Sequence, residues 1–183
     1  MDFITEVKIT AFNDREQHTG DLTDLQHRYT RALYTARAAK DVVQYPDANS
    51  TMRLTYGRVA SLDPWDAVHI SWYSTPRGLR EKYDPAQHDY ALPTDFMAAL
   101  DRYDGPVNFL TDNDITGGNS GSPVLNGRGE VIGLAFDGNK ESLASDVSYT
   151  PDYNKCVCVD IRYVLWILRD YVGLNRVIEE IER

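Results

Sequence analysis

Long apolar runs are missing from this sequence. The longest, Tyr163 to Leu168, falls far short of the roughly 20 residues that a membrane-spanning helix needs. The opening stretch Met1-Asp2-Phe3-Ile4-Thr5-Glu6 lacks the positive region and apolar segment of a signal peptide. The chain is therefore expected to be cytoplasmic, or to be a piece whose targeting segment lies further upstream. Basic residues are scarce as well: 19 Lys and Arg stand against 28 Asp and Glu, for a net charge of -9. A phosphate-backbone partner is excluded on that balance, and no basic stripe with interleaved aromatics argues otherwise. Cysteine is limited to Cys156 and Cys158. Two apart on a strand, both point to one face, and a loop so short makes a poor disulfide. With no other cysteine and no histidine nearby they make no metal site, so buried core thiols are expected, with neither metal nor cofactor.

What is present reads in two parts. From Asp21, apolar residues recur at helical steps (Leu22, Leu25, Tyr29, Leu33, Ala36) as far as about Lys40, and Tyr45-Pro46-Asp47-Ala48-Asn49 then turns the chain. One such helix cannot bury its own apolar face, so it belongs to a larger helical body or packs on the strand-rich segment C-terminal to it. The period then changes to two. Residues 51–59 and 67–73 alternate, as expected of strands, and further strand signals fall at 106–110, 122–126, 131–136 and 155–159. Asn126-Gly127-Arg128-Gly129 has strong hairpin chemistry. A helix starting at Thr94, with Thr94 as its cap, is expected to reach Tyr103, and two more are expected over 161–171 and 175–181.

The chemistry concentrates in Gly117-Gly118-Asn119-Ser120-Gly121-Ser122-Pro123. A serine hydroxyl is a weak nucleophile at neutral pH and needs both a general base and a special backbone setting. Glycines flanking Ser120 allow the left-handed turn that lifts its hydroxyl out. In a chymotrypsin-like arrangement, the amides of Gly118 and Ser120 form the oxyanion hole. A Gly/Ser-rich surface loop is the bland alternative, but Pro123-Val124-Leu125 and the Asn-Gly hairpin come at the distance a nucleophile loop requires.

Three longer stretches carry a family resemblance. They are Asn108 to Pro123 continuing to Gly133-Leu134-Ala135-Phe136-Asp137-Gly138-Asn139, Tyr45 to Gly57, and Cys158 to Leu165. Together they resemble the bacterial dipeptidyl peptidases built on a chymotrypsin-type double barrel with an inserted helical domain. The likeness extends over nearly the whole chain from about residue 22. It implies removal of dipeptides from free peptide amino termini, with Ser120 as nucleophile and Gly118 in the oxyanion hole. It also implies that Asp137 pairs with the substrate's α-ammonium, which would measure off two residues and reject blocked termini. In the branch that cuts after Asp or Glu, an arginine follows Phe-Asp. Here the position is Gly138, as in the branch preferring bulky apolar side chains, so an uncharged pocket is expected. Asp114, six residues before Ser120, is a rival specificity residue for Lys or Arg, and is read as structural.

The resemblance implies a mainly β fold: a chymotrypsin-like six-stranded β-barrel (the second of two) over 45–183, closed by C-terminal helices, with residues 1–44 as the end of the helical domain. The triad base is not evident. None of His18, His27, His69 and His88 lies at a strand end lined by small residues. The chain is accordingly expected to be the C-terminal part of a longer, periplasmic or secreted enzyme, inactive without the N-terminal half that brings the histidine and aspartate. Two other readings remain open: a glutamyl-type serine endopeptidase, and a non-catalytic peptide-binding barrel.

Overall fold

The computed structural model describes residues 22–41, 51–143, 145 and 149–182. They fall into two units, divided between Pro46 and Asp47. The first contributes one helix, α1 (22–38), with Leu22, Leu25 and Tyr29 exposed.

The second unit is built on antiparallel strands. β1 (Leu62–Trp65) and β2 (Val68–Ile70) form a two-stranded hairpin. β3 (Tyr73–Ser74), β4 (Asn108–Thr111), β5 (Pro123–Leu125), β6 (Val131–Gly138) and β7 (Cys156–Asp160) form a five-stranded sheet in the order β3-β4-β7-β6-β5. Every pairing in it is antiparallel. Alternation along β7 is clean: Cys156, Cys158 and Asp160 are buried, with Val157 and Val159 between them only partly so. The two thiols lie on one face, as their spacing requires, with their sulfurs 3.6 Å apart, and both are free. They join Phe109 and Ala135 in the core under the sheet. The hydrogen bond shared with Cys156, together with burial, pushes the Cys158 thiol up. The same bond, ahead of burial, lowers the Cys156 thiol.

A second core is aromatic. α2 (Pro76–Lys82), α3 (Thr94–Leu100) and α4 (Ile161–Trp166) bring Ala99, Leu100 and Trp166 together. Tyr103 packs against Trp166 with ring centroids 5.0 Å apart, and Phe96 meets the same indole edge-on. Asp160 ends β7 and starts α4: its carboxylate accepts from the Arg162 backbone N–H at 2.9 Å and takes the Arg162 guanidinium in two further bonds. A π-helical turn (Ile167–Tyr171) and α5 (Asn175–Ile181) complete the chain's C-terminal end.

Four expectations change, and one helix, α2, is added. Among the described residues the sheet is open, with five strands, and no six-stranded barrel closes. Residues 51–59 supply only a single bridge, from Val59 to Thr111, while Met52, Leu54 and Tyr56 stay exposed. Alternation defines two faces, but a strand forms only where a neighbouring backbone takes up its N–H and C=O groups. The expected strand 67–73 is split between two sheets: Ala67, at φ 63°, closes the tight β1–β2 turn, and β3 turns away to β4. α2 rises from a Pro/Gly-rich stretch because Pro76 sits in the first turn, where its missing N–H costs nothing. α3 stops at Leu100 rather than Tyr103, and its N-cap is Pro93 with no side-chain cap bond, so Thr94 is the first helical residue.

Candidate active site

The segment between β4 and β5 is tied down at both ends. Asn119 organises its apex: its Oδ1 accepts from the Thr116 amide at 3.0 Å, its own amide donates to the Thr116 carbonyl, and its carbonyl accepts from Ser122. Gly121 then donates to the Ala135 carbonyl at 2.7 Å, and Ala135 donates back to Ser122 at 2.9 Å, which fastens the loop to β6. Gly118 and Gly121 have φ of 103° and 82°. This is the left-handed conformation that side chains resist, and it brings the Ser120 hydroxyl out to solvent. The amides of Asn119 and Gly121 point inward and are used. Those of Gly118 and Ser120, between and beside them, donate to no acceptor among the described residues. Ser120 Oγ has one long contact, 3.4 Å to the Phe136 carbonyl.

Ser120 lines a cleft of about 300 Å³. Its opposite wall is the end of β6 (Phe136, Asp137, Gly138), and its rim is the short turn Lys140–Ser142 with Leu143. Asp137 reaches the cleft through a break in the strand's alternation. Ala135 is buried opposite Cys158, and two residues on Asp137 would face the same core. A β-bulge intervenes: Ala135 pairs with Cys158 and Asp137 with the adjacent Val157, so Phe136 is an extra residue in β6. Such an insertion rotates the residues beyond it, and both Phe136 and Asp137 emerge exposed. The carboxylate is braced by the Gly138 amide, which donates to Oδ1 at 2.8 Å. The residue itself lines the cleft.

The cleft therefore brings together Ser120, Asp137 and Gly138, with Gly118 at the apex of the same loop. Asp137 is the only charged residue among the described residues of its lining. Asp114 does not line it. No histidine among the described residues lines it either: His69 pairs with Asp63 at 2.7 Å on the β1–β2 hairpin, His88 with Asp89 at 3.4 Å, both exposed to solvent. His27 is carried on α1, and His18 lies outside the described residues. Among the described residues no three His, Cys, Asp or Glu side chains group to hold a metal ion, and no helix is long and apolar enough to cross a membrane. Two features escaped sequence reading: the bulge, and Ser142, which lines the cleft beside Gly138. A lone serine in Lys-Glu-Ser-Leu carries no signal of its own.

A profile of the peptidase S46 family matches residues 2–183. The chain belongs to the peptidase S46 family. It is 46% identical over 168 residues to dipeptidyl-peptidase 7 of Phocaeicola vulgatus, covering 86% of this chain and 23% of that protein. It is 44% identical over 147 residues to the Asp/Glu-specific dipeptidyl-peptidase of Porphyromonas endodontalis, covering 75% and 20%. The crystal structure of P. endodontalis DPP11 in complex with substrate superposes with a TM-score of 0.72 at 41% identity, over 76% of this chain and 22% of that one. This S46 chain thus spans about a quarter or less of the curated relatives it matches.

Proposed function

We propose that this chain is the C-terminal part of a serine-type dipeptidyl peptidase that releases dipeptides from free peptide amino termini and prefers an apolar side chain at the cleavage position. The observation that carries the reading is the shared cleft: an exposed Ser120 hydroxyl with two uncommitted amides beside it faces a carboxylate turned out on the adjacent strand. Ser120 Oγ attacks the second residue's carbonyl, and its proton passes to a histidine base. The Gly118 and Ser120 amides receive the oxyanion as it forms, where preorganised donors contribute most. Asp137 holds the substrate's α-ammonium, and its fixed place relative to Ser120 sets the product at two residues. Side-chain preference follows from charge. The described residues of the lining include no cation to pair an acidic side chain, Asp137 repels one, and Gly138 beside Ile115, Phe136 and Leu143 leaves an apolar space. Relatives of both kinds, dipeptidyl-peptidase 7 and the Asp/Glu-specific enzymes, align at similar identity, so the lining decides the preference rather than overall likeness.

The base comes from outside the cleft lining, in keeping with the share of its relatives that this chain spans. We place the histidine and its aspartate in an N-terminal barrel of the same polypeptide, exported to the periplasm or beyond, with a second barrel completed on the present sheet. By itself the chain binds peptide termini without turning them over. The test is to assay the full-length polypeptide carrying this chain with dipeptide reporters whose amino termini are free or blocked. Release from the free form alone, abolished by Ser120→Ala, is expected. Cleavage of blocked reporters would instead identify an endopeptidase, and a Ser120 that an organophosphonate cannot label would identify a binding module.

A further inference from the structure

We infer that Ser142 is a specificity-determining residue of the cleft, its hydroxyl filling the space into which any side chain at position 138 would grow. This rests on the dipeptidyl-peptidase reading and deepens it. A Cβ placed on Gly138 meets Ser142 Oγ at 2.4 Å, a separation that real contacts do not show. The next atoms lie at ordinary contact distance: Ser142 Cβ at 3.6 Å and the Lys155 carbonyl oxygen at 3.9 Å. One hydroxyl, therefore, and no backbone atom, stands where the Cβ of a larger residue would come into contact.

That hydroxyl is held. It donates to the Asn139 carbonyl at 2.7 Å, and the turn beneath it is fastened to the chain entering β7. The Asn139 amide donates to the Lys155 carbonyl at 3.0 Å, the Lys155 amide to Asn139 Oδ1 at 2.8 Å, and Asn139 Nδ2 to the Tyr153 carbonyl at 2.8 Å. The turn is anchored at Asn139, so the least disruptive way to admit a side chain at 138 is for the Ser142 hydroxyl to rotate out of its bond to Asn139. Losing one neutral hydrogen bond weakens an equilibrium about threefold to tenfold. An uncharged pocket is thus a property of the Gly138–Ser142 pair, and a substitution at 138 alone meets resistance from across the cleft.

Arginine at 138 is the informative probe, because a guanidinium pairs a substrate carboxylate in a fixed geometry. The full-length polypeptide is assayed as wild type, Gly138→Arg, Ser142→Ala and the double variant, reading the ratio of kcat/KM for acidic over apolar dipeptide reporters. The double variant is expected to exceed the product of the two single effects by about threefold to tenfold. Agreement with that product to within about twofold overturns the claim for Ser142 and leaves the peptidase reading standing. Dipeptide release that survives Ser120→Ala, or no release by the wild type, overturns the peptidase reading and this claim with it. The steric half is checked without turnover on the 183-residue chain. Gly138→Ala is expected to lower Tm by about 2–4 °C, and to lower it little in a Ser142→Ala background. An equal loss in both backgrounds overturns the coupling.

Discussion

Replacing Asp137 by asparagine removes a charge and little else. Asparagine keeps an oxygen where Oδ1 now accepts from the Gly138 amide at 2.8 Å, so the bulge and the cleft wall persist. What is lost is the attraction between a carboxylate and an ammonium. At about 3 Å the Coulomb energy of such a pair runs from about 1.4 kcal/mol in water to about 5.5 kcal/mol at the effective dielectric of a protein surface. Desolvation removes part of it, and a charged hydrogen bond nets about 1.5–3 kcal/mol. Asp137 is exposed, which favours the lower half of that range, or about 10- to 50-fold in kcat/KM. The assay uses the full-length polypeptide and a free-amino dipeptide reporter, with Tm confirming that the variant is folded. A pH series adds a second reading. The substrate α-amine loses its proton near about pH 8, so wild-type kcat/KM should fall above that pH, and the fall should flatten in Asp137→Asn. A folded variant within about threefold of wild type, with the same alkaline limb, refutes the role assigned to Asp137.

Further outcomes concern the scaffold and are measured on the chain itself. Asp160→Ala removes a helix cap of about 1 kcal/mol and the charged bonds to Arg162, for a total loss of about 2–3 kcal/mol by urea unfolding; Asp160→Asn should recover about 1 kcal/mol by retaining the cap. Burial, then the nearby Asp160 charge, raises the Tyr103 hydroxyl to about 12. Since the unfolded phenol ionises near 10, its contribution is complete below pH 10 and drains away between 10 and about 12. Screening leaves about 1 kcal/mol of it, seen as the difference in alkaline urea midpoints between wild type and Tyr103→Phe; identical pH slopes would refute it. Gly121→Ala meets open space but keeps φ 82°, so it should cost about 1–2 kcal/mol from backbone strain alone. An unchanged Tm would show that the loop adopts another conformation.

The conformation of the Ser120 loop was legible because its demands are local. Gly118 and Gly121 stand where positive φ is needed, and the Asn119 side chain caps a turn made within its own few residues. The buried thiol pair was legible for the same reason, since the parity of β7 fixes both side chains. Residues 51–59 misled because alternation describes side chains, whereas strand formation depends on a neighbouring backbone. The β1–β2 turn was missed because Ala67 adopts a positive φ that its residue type does not advertise. Asp137 was found by resemblance alone. By parity it belongs in the core beside Ala135, and only the extra residue at Phe136, a matter of register between β6 and β7, puts it in the cleft. Ser142 was invisible because its importance is the volume it denies to another residue's missing side chain.

The bulge in β6 makes the site sensitive to a different kind of change from the one its side chains record. The Ser120 loop is fastened to this strand through Gly121 and Ala135, and Asp137 comes two positions later, so in the proposed reaction the separation between attack and anchorage would be counted in covalent bonds along one stretch of backbone. Exchange of side chains along that stretch alters what is gripped. Removal of a single residue there would restore parity and turn the carboxylate under the sheet toward Cys156 and Cys158, and with it would go the proposed measure of substrate length.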